Sequence, residues 1–411
     1  MRPLVDVQSD VLDAVDPMDA TEVSVEGAAG LCLAEDVFAS HDVPPFTNSA
    51  MDGYALKAAD THPAPATLRV IEDVAAGHVA GGVVSSGAAI KIMTGAPLPE
   101  GADAVLRVED SAQEGSQVTI NRAVEIGENV RLAGGDLAAG ATVFEKGTRL
   151  TPHHLGVLTS IGVGRPRVHR RPVVAVLSTG DEILPHDAPL TPGKIHDSNR
   201  PQLLALLADL GVETIDLGIV EDDPEAVLAA LRRGAAEADV IFTSGGVSMG
   251  EHDVVKAVLG GSGDVDVWRV AIKPAKPFAF GRVDGKLFFG LPGNPVSVVV
   301  AFEQFARPAL LKMMGATRLF RPRLRASLAD DVHTDPAKTV FLRMVASIEG
   351  GVWTAAPAGG QASNQLTALA RANAFGVVPV GTGDLPAGSD IEMEMFRWPE
   401  TRTAEEVLGV G

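Results

Sequence analysis

The sequence predicts a multidomain α/β protein with a doubly wound α/β domain near its centre. Three apolar runs each end in a glycine-containing polar loop: RPVVAVLSTGDE, DVIFTSGGVSMGEHD and KLFFGLPGNPVS. Between residues 172 and 318 such runs alternate with helical patterns, which is typical of a parallel sheet with helices on both faces. We expect the three loops to meet at the carboxyl edge of that sheet, where open α/β folds bind ligands.

The length and the changes of pattern predict further domains, because 411 residues exceed what one hydrophobic core usually serves. We expect an N-terminal helical domain in two pieces (1–40 and 144–171), an inserted β-rich domain (41–143), the central α/β domain (172–318), a C-terminal small β domain (319–400) and a tail (401–411).

The flanking elements follow from local signals. Residues 11–33 are predicted to contain helical segments, and TRLTPHHLGVLTSIG is predicted to form a helix with Thr151 as N-cap and Pro152 at its first position. From residue 66 to residue 143, short β-branched runs are separated by Gly and Pro, which indicates many short strands. The same pattern returns after residue 322, where it predicts five short strands.

Within the α/β domain the strands VVAVLS, VETIDLGIV and DVIFTSGG alternate with two helices. The first helix, NRPQLLALLADL, is expected to stop at Gly211. The second, in DDPEAVLAALRRGAAEA, is expected to have Asp222 or Asp223 as its cap and Pro224 at its start. An extended VDVWRV, a FAFGR and KLFFG pair and a long helix after Pro295 complete the domain.

Composition excludes several function classes. The net charge of −19 argues against a nucleic-acid partner, because phosphate-backbone binding draws on clustered Lys and Arg. The single cysteine, Cys32, excludes an internal disulfide and a Cys-based zinc site. No apolar run approaches the roughly 18 residues that cross a bilayer, and the N-terminus lacks the apolar core of a signal peptide. We expect a cytoplasmic protein without a membrane partner.

The three polar loops predict an anion site, because backbone N–H groups at strand ends can hold phosphate. The expected anion-binding residues are Ser178, Thr179, Gly180, Ser244, Gly245, Gly246 and Val247. Neither the P-loop order GxxxxGK[ST] nor the dinucleotide order GxGxxG occurs here, so NAD is not expected.

Charged residues near these loops indicate the chemistry of the site. Glu182, Asp222 and Asp253 follow predicted strands, and carboxylates beside a phosphate site indicate Mg²⁺ held jointly by protein and phosphate. Lys273 and Lys276, in AIKPAKPF, would neutralise an oxyanion as point cations. The alternative is that Asp222 is only a helix cap and that the two lysines form surface pairs.

Three candidates lie in the β-rich insert: Asp52 in the DGYA turn, Thr94 in MTGA and Asp136 in the GGD loop. Taken alone, each of them is better explained as a turn residue, and Asp52 in particular as one that caps its own backbone.

Together, PPFTNSAMDGYAL, MTGAPLPEGADAV, STGDE, DSN, TSGGVSMGEHD, AIKPAKPFAFG and GLPGNPVS resemble the motifs of the molybdopterin molybdenumtransferase (MoeA) family, the molybdenum insertases that include the gephyrin E domain. The resemblance covers nearly the whole chain in the order of the family. It implies a homodimer whose subunits combine a helical domain, a β insert, a molybdopterin-binding α/β domain and a C-terminal β domain.

The resemblance also implies a reaction: molybdate is inserted into the dithiolene of adenylylated molybdopterin, with Mg²⁺-dependent cleavage of the pyrophosphate link and release of AMP. The functional residues that it implies are Asp52, Thr94, Asp136, Glu182, Asp222, Asp253 and Lys273, with Pro292 and Pro295 shaping their loop and Arg343 and Ser363 in the C-terminal domain. The resemblance implies that Arg269 and Arg343 take part in binding the anion. Where many members have Lys, this chain has Arg269, whose planar guanidinium replaces a compact ammonium.

In the family the cleft lies between subunits, which implies that Asp52 and Thr94 serve the α/β domain of the partner. The expected partners are molybdopterin adenylyltransferase and apo-molybdoenzymes. Two other functions are alternatives: a molybdopterin-binding scaffold or carrier, and the adenylyltransferase itself, which shares the α/β unit. The flanking β domains favour the insertase. Molybdate and tungstate remain alternative substrates, because they differ little in size and charge.

Overall fold

A computed structural model describes residues 1–246, 265–400 and 403–409, so Val247 and Asp253 lie outside the described residues. The chain divides into two compact units. The first contains Met1–Thr21, Gly30–Cys32 and His169–Gly411, and the second contains Glu22–Ala29 and Leu33–Val168. In the described part of the chain, no helix has the length and apolar character needed to cross a membrane.

The described α-helices are α1 (Leu4–Asp13), α2 (Pro152–Ser160), α3 (Asn199–Leu210), α4 (Pro224–Glu237), α5 (Pro295–Ala301), α6 (Arg307–Met313), α7 (Leu366–Arg371) and α8 (Ala404–Leu408). A π-helical turn, Phe302–Ala306, joins α5 to α6.

The strands up to residue 170 are β1 (Ala20–Glu22), β2 (Val37–Phe38), β3 (Asn48–Ser49), β4 (Gly53–Leu56), β5 (Ala66–Val74), β6 (Ala88–Ile92), β7 (Ala104–Arg107), β8 (Ser111–Glu114), β9 (Gln117–Ile120), β10 (Val130–Arg131), β11 (Thr142–Phe144) and β12 (Arg167–His169). Those of the central region are β13 (Val173–Thr179), β14 (Ile183–Leu184), β15 (Ile195–His196), β16 (Glu213–Val220), β17 (Val240–Ser244), β18 (Val265–Arg269), β19 (Ile272–Lys273), β20 (Pro277–Val283) and β21 (Lys286–Leu291). The C-terminal strands are β22 (Arg323–Leu328), β23 (Thr339–Glu349), β24 (Val352–Pro357), β25 (Ala374–Val378) and β26 (Asp390–Met395).

The central sheet of the first unit has the strand order β16-β13-β17-β21-β20-β18. The first four strands are parallel, and β20 and β18 add antiparallel neighbours at one side. Val174 and Val176 of β13 enter the core that contains α3, whereas Leu177 enters the core that contains α4. Because successive residues of a strand point to opposite faces, the two helices cover the two faces of the sheet. The predicted doubly wound fold is confirmed.

The helix ends in this domain agree with the sequence signals. The Asp223 carboxylate accepts a hydrogen bond from the Ala226 N–H at 2.8 Å, and Pro224 occupies the first position of α4. Gly211 ends α3 with a φ of 81°, a left-handed conformation that glycine adopts without steric penalty.

The prediction of helical segments over residues 11–33 is wrong for most of that range. The helix α1 begins earlier, at Leu4, and ends at Asp13. The chain then forms β1 and a single 3₁₀ turn, Val25–Gly27. Outside its short local turns, the backbone of this segment bonds to distant residues, as where the Met18 N–H donates to the Met313 carbonyl at 2.7 Å. Tertiary partners therefore replace the hydrogen bonds that a helix would have supplied.

The C-terminal sheet has the order β19-β23-β24-β22-β26-β25, and an additional pairing of β23 with β25 closes the sheet on itself. The five predicted C-terminal strands are confirmed, whereas the helix α7 had no sequence prediction. The short strand β19 comes from the α/β region but pairs in parallel with β23, with Ile272 opposite Thr339 and Lys273 opposite Val340. This pairing places the lysines of AIKPAKP beside the C-terminal domain.

The second unit is β-rich, as its short runs predict. Its main sheet has the order β7-β4-β6-β5-β9-β8. The helix α2 begins as expected: the Thr151 side chain and the His154 side chain cap each other's backbone. In this sheet β4 pairs with β6, so Asp52, just before β4, and Thr94, just after β6, lie at neighbouring strand ends.

Candidate functional site

A cavity of about 570 Å³ lies at the carboxyl ends of β13, β17 and β21. We call it the strand-end cavity. The residues lining it that carry the argument below are Ser178, Thr179, Glu182, Asn199, Ser244, Gly245 and Asn294. The prediction that the three polar loops meet at one edge of a parallel sheet is confirmed, because these three strands are adjacent and parallel.

Three buried polar atoms at the strand-end cavity lack a hydrogen-bond partner among the described residues: Thr179 Oγ1, Ser244 Oγ and Asn199 Oδ1. The Thr179 and Ser244 side chains are 4% and 3% exposed. Buried polar atoms in native proteins are nearly always hydrogen-bonded. Two unpaired hydroxyl groups and one unpaired amide oxygen in residues of the cavity wall are therefore suited to a polar ligand.

The backbone amides of these loops are less available than the sequence suggests. The Gly180 N–H donates to the Val220 carbonyl at 3.4 Å, and the Gly245 N–H donates to the Leu291 carbonyl at 3.2 Å. The Asp181 N–H donates to the Asp222 carboxylate at 3.4 Å. These N–H groups bond to neighbouring strand ends, so the groups that lack partners at this edge are the side-chain hydroxyls of Thr179 and Ser244 and not these amides.

Gly245 is required by close packing. Its φ of 95° lies in the left-handed region, and a Cβ there would lie 2.5 Å from the Thr179 carbonyl oxygen. Gly180 is similar: with φ of 146°, its Cβ would lie 2.7 Å from the Glu182 carboxylate. Glycine at position 245 therefore lets the ends of β13 and β17 approach each other, and glycine at position 180 makes room for the Glu182 side chain of its own loop.

Asp197 and Asn199 build the other wall of the cavity, a role that was not predicted for the DSN segment from its residues. The buried Asp197 carboxylate accepts hydrogen bonds from the Ser178 hydroxyl and from the N–H groups of Asn199 and Arg200, each at 3.1 Å. Asn199 Nδ2 donates to the Gly293 carbonyl at 2.7 Å. These bonds tie the start of α3 to β13 and to the loop after β21.

Carboxylates gather at the ends of β13 and β16. Glu182 lines the strand-end cavity, and the Asp222 N–H donates to the Asp181 carboxylate at 3.1 Å. Burial raises the pKa of Asp222, the charges of Asp181 and Glu182 raise it further, and the hydrogen bond from the Asp181 amide opposes this rise. A cation at this edge would relieve the repulsion between these charges.

Within residues 1–246, 265–400 and 403–409, no three His, Cys, Asp or Glu side chains are arranged to hold a metal ion on their own. Asp253, the third predicted ligand, lies outside these ranges. Mg²⁺ commonly takes one or two protein carboxylates and completes its shell with water and substrate phosphate. Glu182 and Asp222 are hard oxygen donors of the type that Mg²⁺ prefers, so the described residues fit a magnesium ion shared with a phosphate.

A second cavity, of about 680 Å³, lies beside the first. We call it the lysine cavity, because Lys273, Lys276 and Lys338 line it together with Ser363. Asn294 lines both cavities. Lys338 was not predicted from the sequence, because it lies far along the chain from the other two lysines and reaches them only through the pairing of β19 with β23.

Two predicted anion-binding arginines do not line either cavity. Arg343 is 1% exposed, and its Nη2 donates to the Gly360 and Ala362 carbonyls at 3.0 and 3.1 Å. Burial lowers the pKa of Arg343 to about 10. The guanidinium thus supports the loop that carries Ser363. Arg269 is an exposed residue of β18. Of the two loop prolines, Pro295 lines the strand-end cavity and Pro292 is buried after β21.

Three family models match the chain in the order of its regions. They are described as "MoeA N-terminal region (domain I and II)", over residues 2–162, "Probable molybdopterin binding domain", over residues 175–312, and "MoeA C-terminal region (domain IV)", over residues 325–396. The chain belongs to the molybdopterin molybdenumtransferase (MoeA) family. This is a family of transferases, and the predicted family is confirmed.

Relatives in this family are similar over almost their whole length. The chain is 37% identical to molybdopterin molybdenumtransferase of Haemophilus influenzae, covering 92% of this chain and 95% of the relative. It is also 37% identical to molybdopterin molybdenumtransferase 2 of Mycobacterium tuberculosis, covering 96% and 99%. The crystal structure of the molybdopterin biosynthesis moeA protein from Pyrococcus horikoshii OT3 matches with a TM-score of 0.82 at 30% identity, covering 96% of this chain and all of that one.

The second unit carries the remaining residues that resemble the family's functional positions. Asp52 Oδ1 accepts hydrogen bonds from both the Thr94 N–H and the Thr94 hydroxyl, each at 2.7 Å. Both bonds lower the pKa of Asp52, and the bond from the backbone N–H has the larger effect. Asp136 is exposed, and its N–H donates to the Val43 carbonyl at 2.9 Å. The structure therefore joins Asp52 to Thr94 as one exposed, hydrogen-bonded pair.

Replacing Thr94 with valine should raise the pKa of Asp52 while leaving it below the ordinary aspartate value. The hydroxyl donor is lost, but the backbone donor, which has the larger effect, remains. Because the folded pKa is depressed, the pair stabilises the fold above the pKa of the unfolded state. That contribution disappears as the pH falls through the folded pKa, and in the variant it should disappear at higher pH. NMR titration of ¹³Cγ-labelled aspartate would measure the shift, and an unchanged Asp52 pKa would contradict the assignment.

Proposed function

We propose that this protein inserts molybdate into adenylylated molybdopterin in a Mg²⁺-dependent reaction that yields the molybdenum cofactor and AMP. The two dithiolene sulfurs form bonds to molybdenum while a molybdate oxygen leaves as water, and attack of water on the phosphoanhydride bond of the adenylylated pterin releases AMP. Membership of the molybdopterin molybdenumtransferase family supports the transfer of molybdenum. The adenylylated substrate and the magnesium requirement come from the resemblance of the motifs.

One observation carries this proposal: two cavities of different chemistry meet at Asn294. The strand-end cavity offers buried hydroxyl groups and carboxylates, which suit a polar pterin phosphate together with a metal ion. The lysine cavity offers ammonium groups, which suit a small oxyanion. A reaction that joins an oxyanion to a phosphorylated organic molecule requires both sites to be adjacent.

The charged residues of the two cavities bind different groups. In our proposal Lys273 and Lys276 hold the oxyanion and neutralise its charge. Glu182 and Asp222, together with Asp253, would hold a magnesium ion shared with substrate phosphate. The bound ion would supply charge neutralisation on the phosphate oxygens, which is the main catalytic demand of phosphoryl chemistry. Arg343 acts indirectly, by fixing the loop of Ser363.

The proposal includes a homodimer with the cleft between subunits. In it Asp52, Thr94 and Asp136 of one subunit serve the α/β domain of the partner subunit. It also includes a cytoplasmic location, with molybdopterin adenylyltransferase as the supplier of substrate and apo-molybdoenzymes as the acceptors of product. Crosslinking through the edge of the second unit would test the dimer independently of activity.

The decisive experiment measures AMP release by the purified protein supplied with adenylylated molybdopterin, molybdate and Mg²⁺, with each omitted in turn. We expect release only when all three are present, and a product that activates an apo-molybdoenzyme. Tight pterin binding without release would instead indicate a carrier or scaffold. Release without molybdate would contradict the coupling of the two cavities.

A further inference from the structure

A carboxylate lies next to the lysine cavity, paired with one of the lysines that line it. The Lys338 ammonium, which lines the cavity, forms a salt bridge with Asp335. Both side chains are partly exposed, at 22% for Lys338 and 32% for Asp335. The pKa of Asp335 is lowered, most of all by the hydrogen bond from Lys338. The hydrogen bond from the Ala337 N–H and the charge of Lys273 lower it further. Asp335 is thus ionised and close enough to interact with two of the three lysines.

The backbone holds this carboxylate in place. Asp335 Oδ1 accepts from the Ala337 N–H at 3.0 Å, and the Lys338 N–H donates to the Asp335 carbonyl at 3.2 Å. One residue further, the Thr339 N–H donates to the Ala271 carbonyl at 2.9 Å, at the start of the β19–β23 pairing. The turn 335–338 is therefore fixed against the segment that carries Lys273 and Lys276.

We propose that Asp335 is a specificity-determining residue that limits the positive charge of the lysine cavity, so that a tetrahedral dianion binds there but remains exchangeable. This inference rests on the proposed function, since it concerns the oxyanion site of that reaction. In the described part of the chain, three lysines line the cavity and one carboxylate is paired with one of them. The sum is +2, which matches the charge of molybdate.

The physical reason is Coulombic. Without Asp335 the cavity would present three ammonium groups, and its attraction for an anion would grow in proportion to the charge of that anion. Polyphosphates and other highly charged anions would then compete strongly, and the bound substrate would leave slowly. With Asp335 in place, Lys338 is held by the protein and is only partly available to the oxyanion.

The test uses substitutions that separate charge from structure. Asp335→Asn removes the charge but keeps an oxygen that can accept the Ala337 N–H, so the turn is retained. Lys338→Gln removes the opposite charge and leaves Asp335 unpaired. The double variant restores the net charge of the wild type. Asp331→Asn is the matched control, because Asp331 also accepts a backbone N–H, that of Ala387 at 2.7 Å, but in the described part of the chain it forms no salt bridge with a lysine that lines the cavity, whereas Asp335 does.

Equilibrium binding of molybdate and of perrhenate, a tetrahedral oxyanion with one negative charge, is measured by calorimetry at low ionic strength without pterin. Asp335→Asn should tighten molybdate binding roughly threefold to tenfold and perrhenate binding by a smaller factor, with a steeper dependence on salt. Lys338→Gln should weaken both, and the double variant should return close to the wild type. Asp331→Asn should change neither.

Two results would overturn the inference: Asp335→Asn binding like the wild type, or Asp331→Asn tightening molybdate as much as Asp335→Asn does. Absence of molybdate binding in every variant would also overturn it. If binding follows the expected order but the wild type releases no AMP with the full set of substrates, the inference stands and the proposed function fails. If AMP release depends on molybdate but Asp335→Asn does not change the affinity for molybdate, the proposed function stands and the inference fails.

Discussion

Replacing Lys273 with methionine should reduce molybdate-dependent AMP release by roughly a hundredfold, because loss of one group that stabilises developing or bound oxyanion charge has effects of this size in other enzymes. Lys273 is exposed, lines the lysine cavity and has its backbone fixed by pairing with Val340. The substitution therefore removes the charge without removing a buried contact. Molybdate titrations that separate kcat from KM would measure the loss.

Lys286→Met is the matched control for this experiment. Lys286 stands at the opposite end of β21 and lines neither cavity. Its removal changes the net charge of the protein by the same amount, so it should leave AMP release near the wild-type value. Equal losses in both variants would show that overall charge, and not the cavity, governs the reaction.

The largest effect on stability is expected for Arg321→Met, which should lower the free energy of unfolding by about 3–5 kcal/mol at neutral pH. Glu303, in the π-helical turn, is 3% exposed and forms a bidentate pair with Arg321, with distances of 2.7 and 2.9 Å. Arg307 lies farther away, with an N–O distance of 3.7 Å. Loss of Arg321 leaves a buried carboxylate with one distant cation, which is far costlier than an unpaired surface charge.

The cause of this loss can be tested by also removing the charge of Glu303. Urea unfolding can be followed by tryptophan fluorescence, since Trp268, Trp353 and Trp398 all lie in the first unit. Adding Glu303→Gln to Arg321→Met should recover part of the stability, and a deficit that this second change leaves unaltered would contradict the explanation.

Much of the candidate site was predictable because its signals are local. An apolar run followed by Gly and a polar residue marks the end of a buried strand, and the parallel order of β13, β17 and β21 then requires their loops to share one edge. Asp223 and Pro224 mark a helix start by their own chemistry, whatever surrounds them.

Other features depended on residues distant in the chain. The expected phosphate grip by loop amides is not available at Gly180 and Gly245, because neighbouring strand ends supply acceptors for these N–H groups. The helix expected over residues 11–33 is replaced by backbone bonds to distant segments. In both cases the competing hydrogen-bond partner has no local signature in the sequence.

By itself, the sequence determined the family, the doubly wound domain, the β-rich flanks and the position of the polar loops, since each follows from short-range periodicity, turn chemistry or motif spacing. Only the tertiary structure decided which groups meet. It placed Lys338 and Asp335 beside Lys273 through the β19–β23 pairing. It also buried Arg343, which donates hydrogen bonds to the loop that carries Ser363. The reason is that pairing between distant strands and the burial of a charge depend on the packing of the whole unit, which no local stretch of residues encodes.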